Sequence, residues 1–178
     1  MTAHTAYDVH KEKVLQEYLI QQLVAGEGYQ RRVAEKHYDA ALAMDRELVL
    51  RFIQETQAEA WEKLSQHYTA SAEEVFFKQL DKALKDRGLL DVLRQGIKIV
   101  PGIPFSLCYF RPASGLEPKR LAEYEANILS VMDEVVYSQK RGNRLDVVLF
   151  LNGLPIATIE AKNLLTGTTF RHAERQYK

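Results

Sequence analysis

The stretch Arg144–Asn163, RLDVVLFLNGLPIATIEAKN, decides how this chain is read. Asp146 opens an apolar run that ends at Leu151, the residues Asn152-Gly153-Leu154-Pro155 break it, and a second run closes on Glu160 and Lys162. Two short apolar runs around turn residues predict paired strands, Asp146–Leu151 and Pro155–Lys162. They are too short and too interrupted to span a bilayer. A single acid at a strand end only marks where the strand meets water. An aspartate, a glutamate and a lysine together at the ends of two adjacent apolar strands point to a site.

Side-chain alternation sets a condition on that site. If Asn152-Gly153 is a two-residue turn between regular strands, Leu151 pairs with Leu154 and Asp146 falls opposite Ile159. Glu160 then points to the other face. A loop of odd length, or one bulge, shifts the register by one and brings Asp146 opposite Glu160. We expect the shift. Glu160 and Lys162, two apart on a strand, share a face. Two converging carboxylates form a hard oxygen site suited to Mg²⁺, with the Ala161 carbonyl as a further ligand. A lysine beside such a metal and a phosphate can orient a water and stabilise developing negative charge, and the metal lowers the pKa of that water.

The bulk properties narrow the classes. The chain has 178 residues, with 24 basic and 24 acidic side chains and net charge zero. It is long enough for one domain with a sizeable core. No global basic field advertises nucleic acid, although a local patch suffices for it. The lone Cys108 cannot form an internal disulfide, which suits a reducing cytoplasm, and its apolar neighbours predict a small buried hydrophobe rather than a nucleophile. The N-terminus lacks the apolar region of a signal peptide. His4, His10, His37, His67 and His172 show no ligand spacing, and no Gly-x-Ser-x-Gly nucleophile signature occurs. The final RHAERQYK reads as helix without a cap, so the chain is expected to be part of something longer.

Periodicity predicts a mostly helical region over 8–90 and a mixed one over 96–178. The first helix carries an apolar stripe at Val14, Leu15, Tyr18, Leu19 and Leu23, stopped by Gly26 and Gly28. Asp45 is the expected N-cap of a pair of consecutive helices whose apolar positions are Leu48, Phe52, Ala58, Trp61 and Leu64. Ser71 with Glu74 predicts a capping box for a helix that ends at Gly88 and buries Val75, Phe76, Leu80 and Leu84. IKIVPGIPFSLCYFRP reads as strand and loop. EPKRLAEYEANILSVMDEV reads as helix through Leu121, Tyr124, Ile128 and Leu129, VVYSQ as an edge strand, KRGN as a turn, and the tail from Thr168 as a helix start. The sum is one α/β domain, residues 1–178, with a helical N-terminal annex.

The pattern of Asp146, then Glu160-Ala161-Lys162, resembles the PD-(D/E)xK nuclease motif. The longer NRLDVVLFLNGLPIATIEAKN is similar to the nuclease region of the restriction (R, or HsdR) subunit of type I restriction–modification enzymes. GYQRR, MDRELVLRFIQETQAEAWEKL and IKIVPGIPFSLCYFRPASG also resemble that family, so the likeness covers most of the chain. It implies a restriction-endonuclease-like fold, a mixed central β-sheet flanked by helices, and Mg²⁺-dependent cutting of double-stranded DNA. It makes Asp146 and Glu160 metal ligands and Lys162 the catalytic lysine. It implies methylation and specificity subunits as partners. No Gly-rich phosphate loop occurs here, so ATP use would belong to motor domains outside this piece. Gln176 matches the approximate place of a glutamine in the helix that follows the motif. The Phe-Glu pair expected on the first helix is replaced by Leu15-Gln16, with Glu12 and Glu17 as nearby acids. Lys140, Arg141, Arg144, Arg171 and Arg175 flank the motif as candidate phosphate contacts, against the plainer reading that they solubilise the surface. A non-catalytic module of the same ancestry, docking on DNA or on a partner subunit, is the alternative.

Overall fold

The structure is a computed structural model that describes residues 6–113, 117–138 and 143–161. In chain order the elements are α1 (Ala6–Gly26), β1 (Gln30–Arg31), α2 (Ala34–His37), α3 (Arg46–Thr56), α4 (Ala58–Tyr68), a 3₁₀ turn (Thr69–Ser71), α5 (Ala72–Arg87), α6 (Leu89–Gln95), β2 (Ile97–Ile99), β3 (Ile103–Phe105), α7 (Pro118–Glu125), β4 (Leu129–Ser138), β5 (Asn143–Leu151) and β6 (Leu154–Ile159). Strands β1-β4-β5-β6 form a mixed sheet in that order, and β2-β3 is a separate hairpin. Among the described residues only the β1–β4 pair is parallel. Helices flank the main sheet, as the fold reading requires. The helical region contributes β1 to that sheet, so the two halves share a strand ladder.

Two apolar clusters hold the sheet between its flanking helices. On one face Ile20 of α1 meets Val131 and Val147, with Leu149 and Ile159 beside them. On the other, Ala34 of α2 and Tyr38 meet Met132, Val148 and Phe150. The largest cluster is elsewhere. It joins Leu48, Val49, Phe52 and Ile53 of α3 to Leu64, Phe76, Phe77, Leu80 and Val92, to the β2–β3 hairpin, and to Leu154 at the start of β6. Phe76 sits at its centre, edge-on to Trp61, Phe77 and Phe105.

Asp45 caps α3 as expected, accepting a hydrogen bond from the Leu48 amide at 3.1 Å. It is fully buried and paired with Arg32, Nε to Oδ2 3.0 Å, and Arg32 also reaches Glu47 at 2.8 Å. Helix α5 ends at Gly88 as expected.

Several expectations need correction. The stripe on α1 holds only in part: Leu23 packs against the Ile20 cluster and Leu19 is half-buried, but Val14, Leu15 and Tyr18 are exposed, and among the described side chains of the helix the buried ones are Gln16 and Ile20. Apolar residues occur all round this helix, so the contact to the sheet, not an apolar face, chooses its rotation. Ser71 does not cap α5; its hydroxyl donates back to the Tyr68 carbonyl at 2.8 Å, because the chain enters α5 through a 3₁₀ turn. Ala58 is exposed, and Phe77 joins Phe76 in the core. The helix expected through Leu129 ends at Glu125. Asn127 stops it by donating to the Tyr124 and Tyr109 carbonyls at 2.8 and 2.7 Å. The chain from Leu129 is β4, so Val135–Ser138 continue that strand rather than forming one of their own; they pair with β5, while β1 pairs with Ser130 and Val131 further back, and Gln139 lies outside the described residues. The KRGN turn, apart from Asn143, and the tail from Thr168 lie outside the described residues.

Two stability tests follow from this packing. Arg32→Ala leaves the Asp45 carboxylate buried without its cation and should cost about 3 kcal/mol in urea unfolding. Gly153 has φ +80°, and a Cβ there would overlap the Asp45 carbonyl, so Gly153→Ala should cost at least ~2 kcal/mol by the same assay. Cys108 is buried, its thiol 3.4 Å from the Leu93 carbonyl, and burial pushes its pKa up. A thiolate-selective reagent should therefore modify Cys108 only once the protein is unfolded.

Candidate active site at the open end of the β5–β6 hairpin

The hairpin satisfies the register condition in an unexpected way. Asn152 and Gly153 form a two-residue turn with φ +50° and +80°, the left-handed values that this kind of turn needs. Leu151 pairs with Leu154 and Phe150 with Pro155. The pairing then jumps: Leu149 lies opposite Ala157, Val148 opposite Thr158 and Val147 opposite Ile159. Ile156 is the extra residue, bulged out and 40% exposed on the edge of the described sheet. The next row along this register sets Asp146 opposite Glu160. A regular turn and one bulge together produce the single-residue shift.

The two residues are close in space as well as in register. The Ala161 amide donates to Asp146 Oδ2 at 2.7 Å. The Asp146 carboxylate therefore lies against the Glu160–Ala161 segment just past the end of β6. Asp146 and Glu160 are both half-buried, and Ala161 is buried. Two carboxylates and a main-chain carbonyl in one neighbourhood make a donor set of hard oxygens, which fits Mg²⁺. Among the described residues no group of three or more Asp, Glu, His or Cys side chains gathers to hold a metal. Lys162 and Gln176 lie outside the described residues.

Helix α1 points its N-terminal half at this end of the sheet. Ile20 packs on Val131 and Val147. Earlier on the helix, Glu17 accepts from Arg31 at 2.8 Å, and Arg31 also holds Asp133 at 3.2 Å. Moving toward the helix N-terminus thus moves along β4 from Val131 to Asp133, toward the Asp146 row. The two acids of α1 differ in consequence. The Arg31 hydrogen bond holds the Glu17 carboxyl below the usual carboxylate range, so Glu17 serves as an ion-pair partner of β1. Glu12 is half-buried and follows Gln16 and Ile20 at four-residue steps, on the side of α1 that meets the sheet. Gln16, buried, lies between them.

Of the five candidate phosphate contacts, Arg144 is described. It is exposed, two residues from Asp146 on β5, and pairs with Glu134 at 3.1 Å. Lys140, Arg141, Arg171 and Arg175 lie outside the described residues.

The sequence reading missed what anchors the hairpin. The buried Asn152 accepts from the Ile128 amide at 2.6 Å and donates to the Leu107 carbonyl and to Asn127 Oδ1, both at 2.9 Å. An asparagine beside a glycine is read as a turn, and that reading hides a side chain with three partners.

No helix among the described residues is long and apolar enough to cross a membrane. No curated protein and no solved structure gives a significant match to the chain. A family model described as "type I restriction enzyme R protein N terminus" matches residues 10–178. That span includes most of α1, both apolar faces of the sheet and the whole β5–β6 hairpin, so the chain belongs to the N-terminal family of type I restriction enzyme R proteins.

Proposed function

We propose that this chain is the endonuclease unit of its R protein, a Mg²⁺-dependent hydrolase of phosphodiester bonds in double-stranded DNA. The observation that carries the reading is the β6 bulge, which puts Asp146 in the row of Glu160 and lets Ala161 hydrogen-bond to its carboxylate. A bulge beside a pair of acids is an arrangement that strand pairing alone does not favour, and bulges concentrate where a side chain must be re-aimed.

In this reading Asp146, Glu160 and the Ala161 carbonyl hold the metal. When bound, Mg²⁺ supplies Lewis-acid polarisation of a phosphoryl oxygen and a more acidic water. The chain's own groups do the rest. The Ala161 N–H fixes the orientation of Asp146, so the carboxylate needs no reorganisation when substrate arrives. Lys162, two residues beyond Glu160, orients the attacking water and balances negative charge that develops on the phosphate. Glu12 is the auxiliary acid favoured by its side of α1, and Gln176 a further auxiliary group. Arg144, with Lys140, Arg141, Arg171 and Arg175, contacts backbone phosphates, which gives sequence-independent, salt-sensitive binding. Sequence choice and methylation are left to partner subunits of the restriction complex, ATP-driven motion to motor domains of the intact subunit, and the cytoplasm is where all of them meet DNA.

One observation favours the second reading, a docking module without chemistry. Gln16 is buried on α1, and it is an amide where the family resemblance leads one to expect an acid.

Cleavage of supercoiled plasmid in the full-length subunit with its partners separates the two. Asp146→Asn, Glu160→Gln and Lys162→Ala should each lower the Mg²⁺-dependent rate by about 10²-fold or more while circular dichroism and partner binding are retained. Equal cutting by all four proteins assigns the chemistry to another part of the complex. The bulge offers an independent check. Deleting Ile156 closes the bulge with Ala157 still opposite Leu149, so Glu160 stays in the Asp146 row and cleavage should persist, whereas one alanine inserted between Thr158 and Ile159 moves Glu160 out of that row, so cleavage should fall as far as in Asp146→Asn although neither acid has been touched.

A further inference from the structure

The β4–β5 ladder is interrupted twice: its register shifts between Val136 and Ser138, and nearer the hairpin turn one row is skipped without a shift, the row that contains Asp146. Pairing runs regularly from Leu129↔Leu151 to Asp133↔Val147, then passes to Val135↔Leu145 without a Glu134↔Asp146 pair. The side chains change phase at the same place. Val131 and Val147 face α1, so alternation should put Val135 and Leu145 on that face too. Both instead belong to the cluster under α2, with Ala34, Met132, Val148 and Phe150. Glu134 also lies on that side, lining a small pocket with Ala34, Glu35 and Tyr38. The cause is visible in the backbone: Glu134 has φ +51°, a left-handed conformation inside a strand. Glycine and asparagine adopt it readily, and glutamate does so under strain.

We infer that Glu134 is a positioning residue whose left-handed backbone aims Asp146. In a regular antiparallel row a side chain stands off the sheet, and the amides in the plane of the sheet bond to the neighbouring strand. The Asp146 carboxylate instead reaches sideways to the Ala161 amide at 2.7 Å. That direction becomes available where the row opposite Asp146 is released and the two strands coil. Glu134 releases it. The Glu134 carboxylate is not the active part: its pair with Arg144 is at the surface, and such pairs contribute little. This inference rests on the nuclease reading for its effect on catalysis, but its geometric core stands apart from that reading.

The test separates backbone from side chain and geometry from activity. Glu134→Gly and Glu134→Asn remove the carboxylate and keep access to positive φ. Glu134→Val favours a regular strand, and Glu134→Ala replaces it if the valine variant is unfolded by circular dichroism. The first readout is the Ala161 amide in proton–nitrogen spectra of the 178-residue chain without metal. A hydrogen bond to a carboxylate moves that resonance downfield, and Asp146→Asn defines its position when the charge is gone. The glycine and asparagine variants should keep the wild-type position, and the valine or alanine variant should move toward that of Asp146→Asn. The second readout is plasmid cleavage by the full-length subunit with its partners. Here Glu134→Gly should stay within about threefold of wild type and Glu134→Val should fall about a hundredfold, the usual consequence of a misplaced group near the chemistry. An unmoved Ala161 amide in the valine and alanine variants overturns the inference, whatever the cleavage assay reads. So does an equal shift in the glycine variant, which would assign the effect to the carboxylate. If the amide shifts as expected while wild type and Asp146→Asn cleave alike, the positioning role stands and the nuclease reading fails.

Discussion

The buried side chain of Asn152 is the contact on which the rest of the structure depends. Its amide bridges the Ile128 amide, the Leu107 carbonyl and Asn127, and Asn127 is hydrogen-bonded in turn to both main-chain groups of Tyr109. The next residue, Gly153, accepts from the Asp45 amide at 2.8 Å, and Asp45 both caps α3 and pairs with Arg32 beside β1. One hairpin turn thereby joins the start of β4, the loop after β3, the first turn of α3 and the strand that enters the sheet edge. Leu154, immediately after it, is part of the helical core. A turn fixed at so many points cannot slide. Low dielectric makes each of these bonds expensive to break singly, because the partner left behind stays buried.

Fixing the turn has a consequence sixteen ångströms or so down the hairpin, at roughly 3.3 Å for each residue from Leu151 to Asp146. With the turn locked, the row in which Asp146 falls depends only on what happens along β5 and β6. Two irregularities then occur, one on each side of β5. Ile156 adds a residue to β6, and Glu134 interrupts the pairing of β4. Neither is favoured by strand pairing itself. Both act on the same residue, the first by choosing which side chain faces Asp146 and the second by freeing the direction in which Asp146 points. Strain of this kind persists only where the surroundings over-determine it, and the locked turn and the two apolar faces of the sheet provide that.

How much of this the sequence displays depends on whether the cause is local. The hairpin, the Asp45 cap and the stop at Gly88 are set by residues within a few positions of the feature, and each is legible. The need for a bulge is also legible, because Asp146 and Glu160 have the wrong parity about an Asn-Gly turn. Its place at Ile156 is not, since any residue of an edge strand can be extruded. The rotation of α1 is decided by Ile20 meeting Val131 and Val147, more than a hundred residues away, so the stripe Val14-Leu15-Tyr18 misleads. Glu134 is the least legible of all. VMDEVV shows neither glycine nor asparagine to announce a positive φ, and the run reads as ordinary strand or helix. Asn127 illustrates the reverse case, where one side chain turns an apparently continuous helical pattern into a helix end followed by a strand.

The setting of the acids also bears on what kind of molecule the site suits. Two clefts of the molecule lie in the helical half, one between α5, α6 and β2 and one between the α3–α4 junction and β3. Among the described residues Asp146 and Glu160 line neither of these two; they sit at the end of the sheet beside β6, the edge of the described sheet, where Ile156, Ala157 and Thr158 are exposed. A small substrate needs enclosure, because most of its binding energy comes from burying its own surface. A duplex does not: its phosphates supply the attraction, and a rigid open ridge carrying a few positioned groups is sufficient to meet one of them. Enclosure would in fact exclude it. The bulged edge therefore serves two ends at once. It sets the acids in one row, and by twisting this edge of the described sheet it makes the edge a poorer template for a further strand, which suits the duplex substrate proposed above.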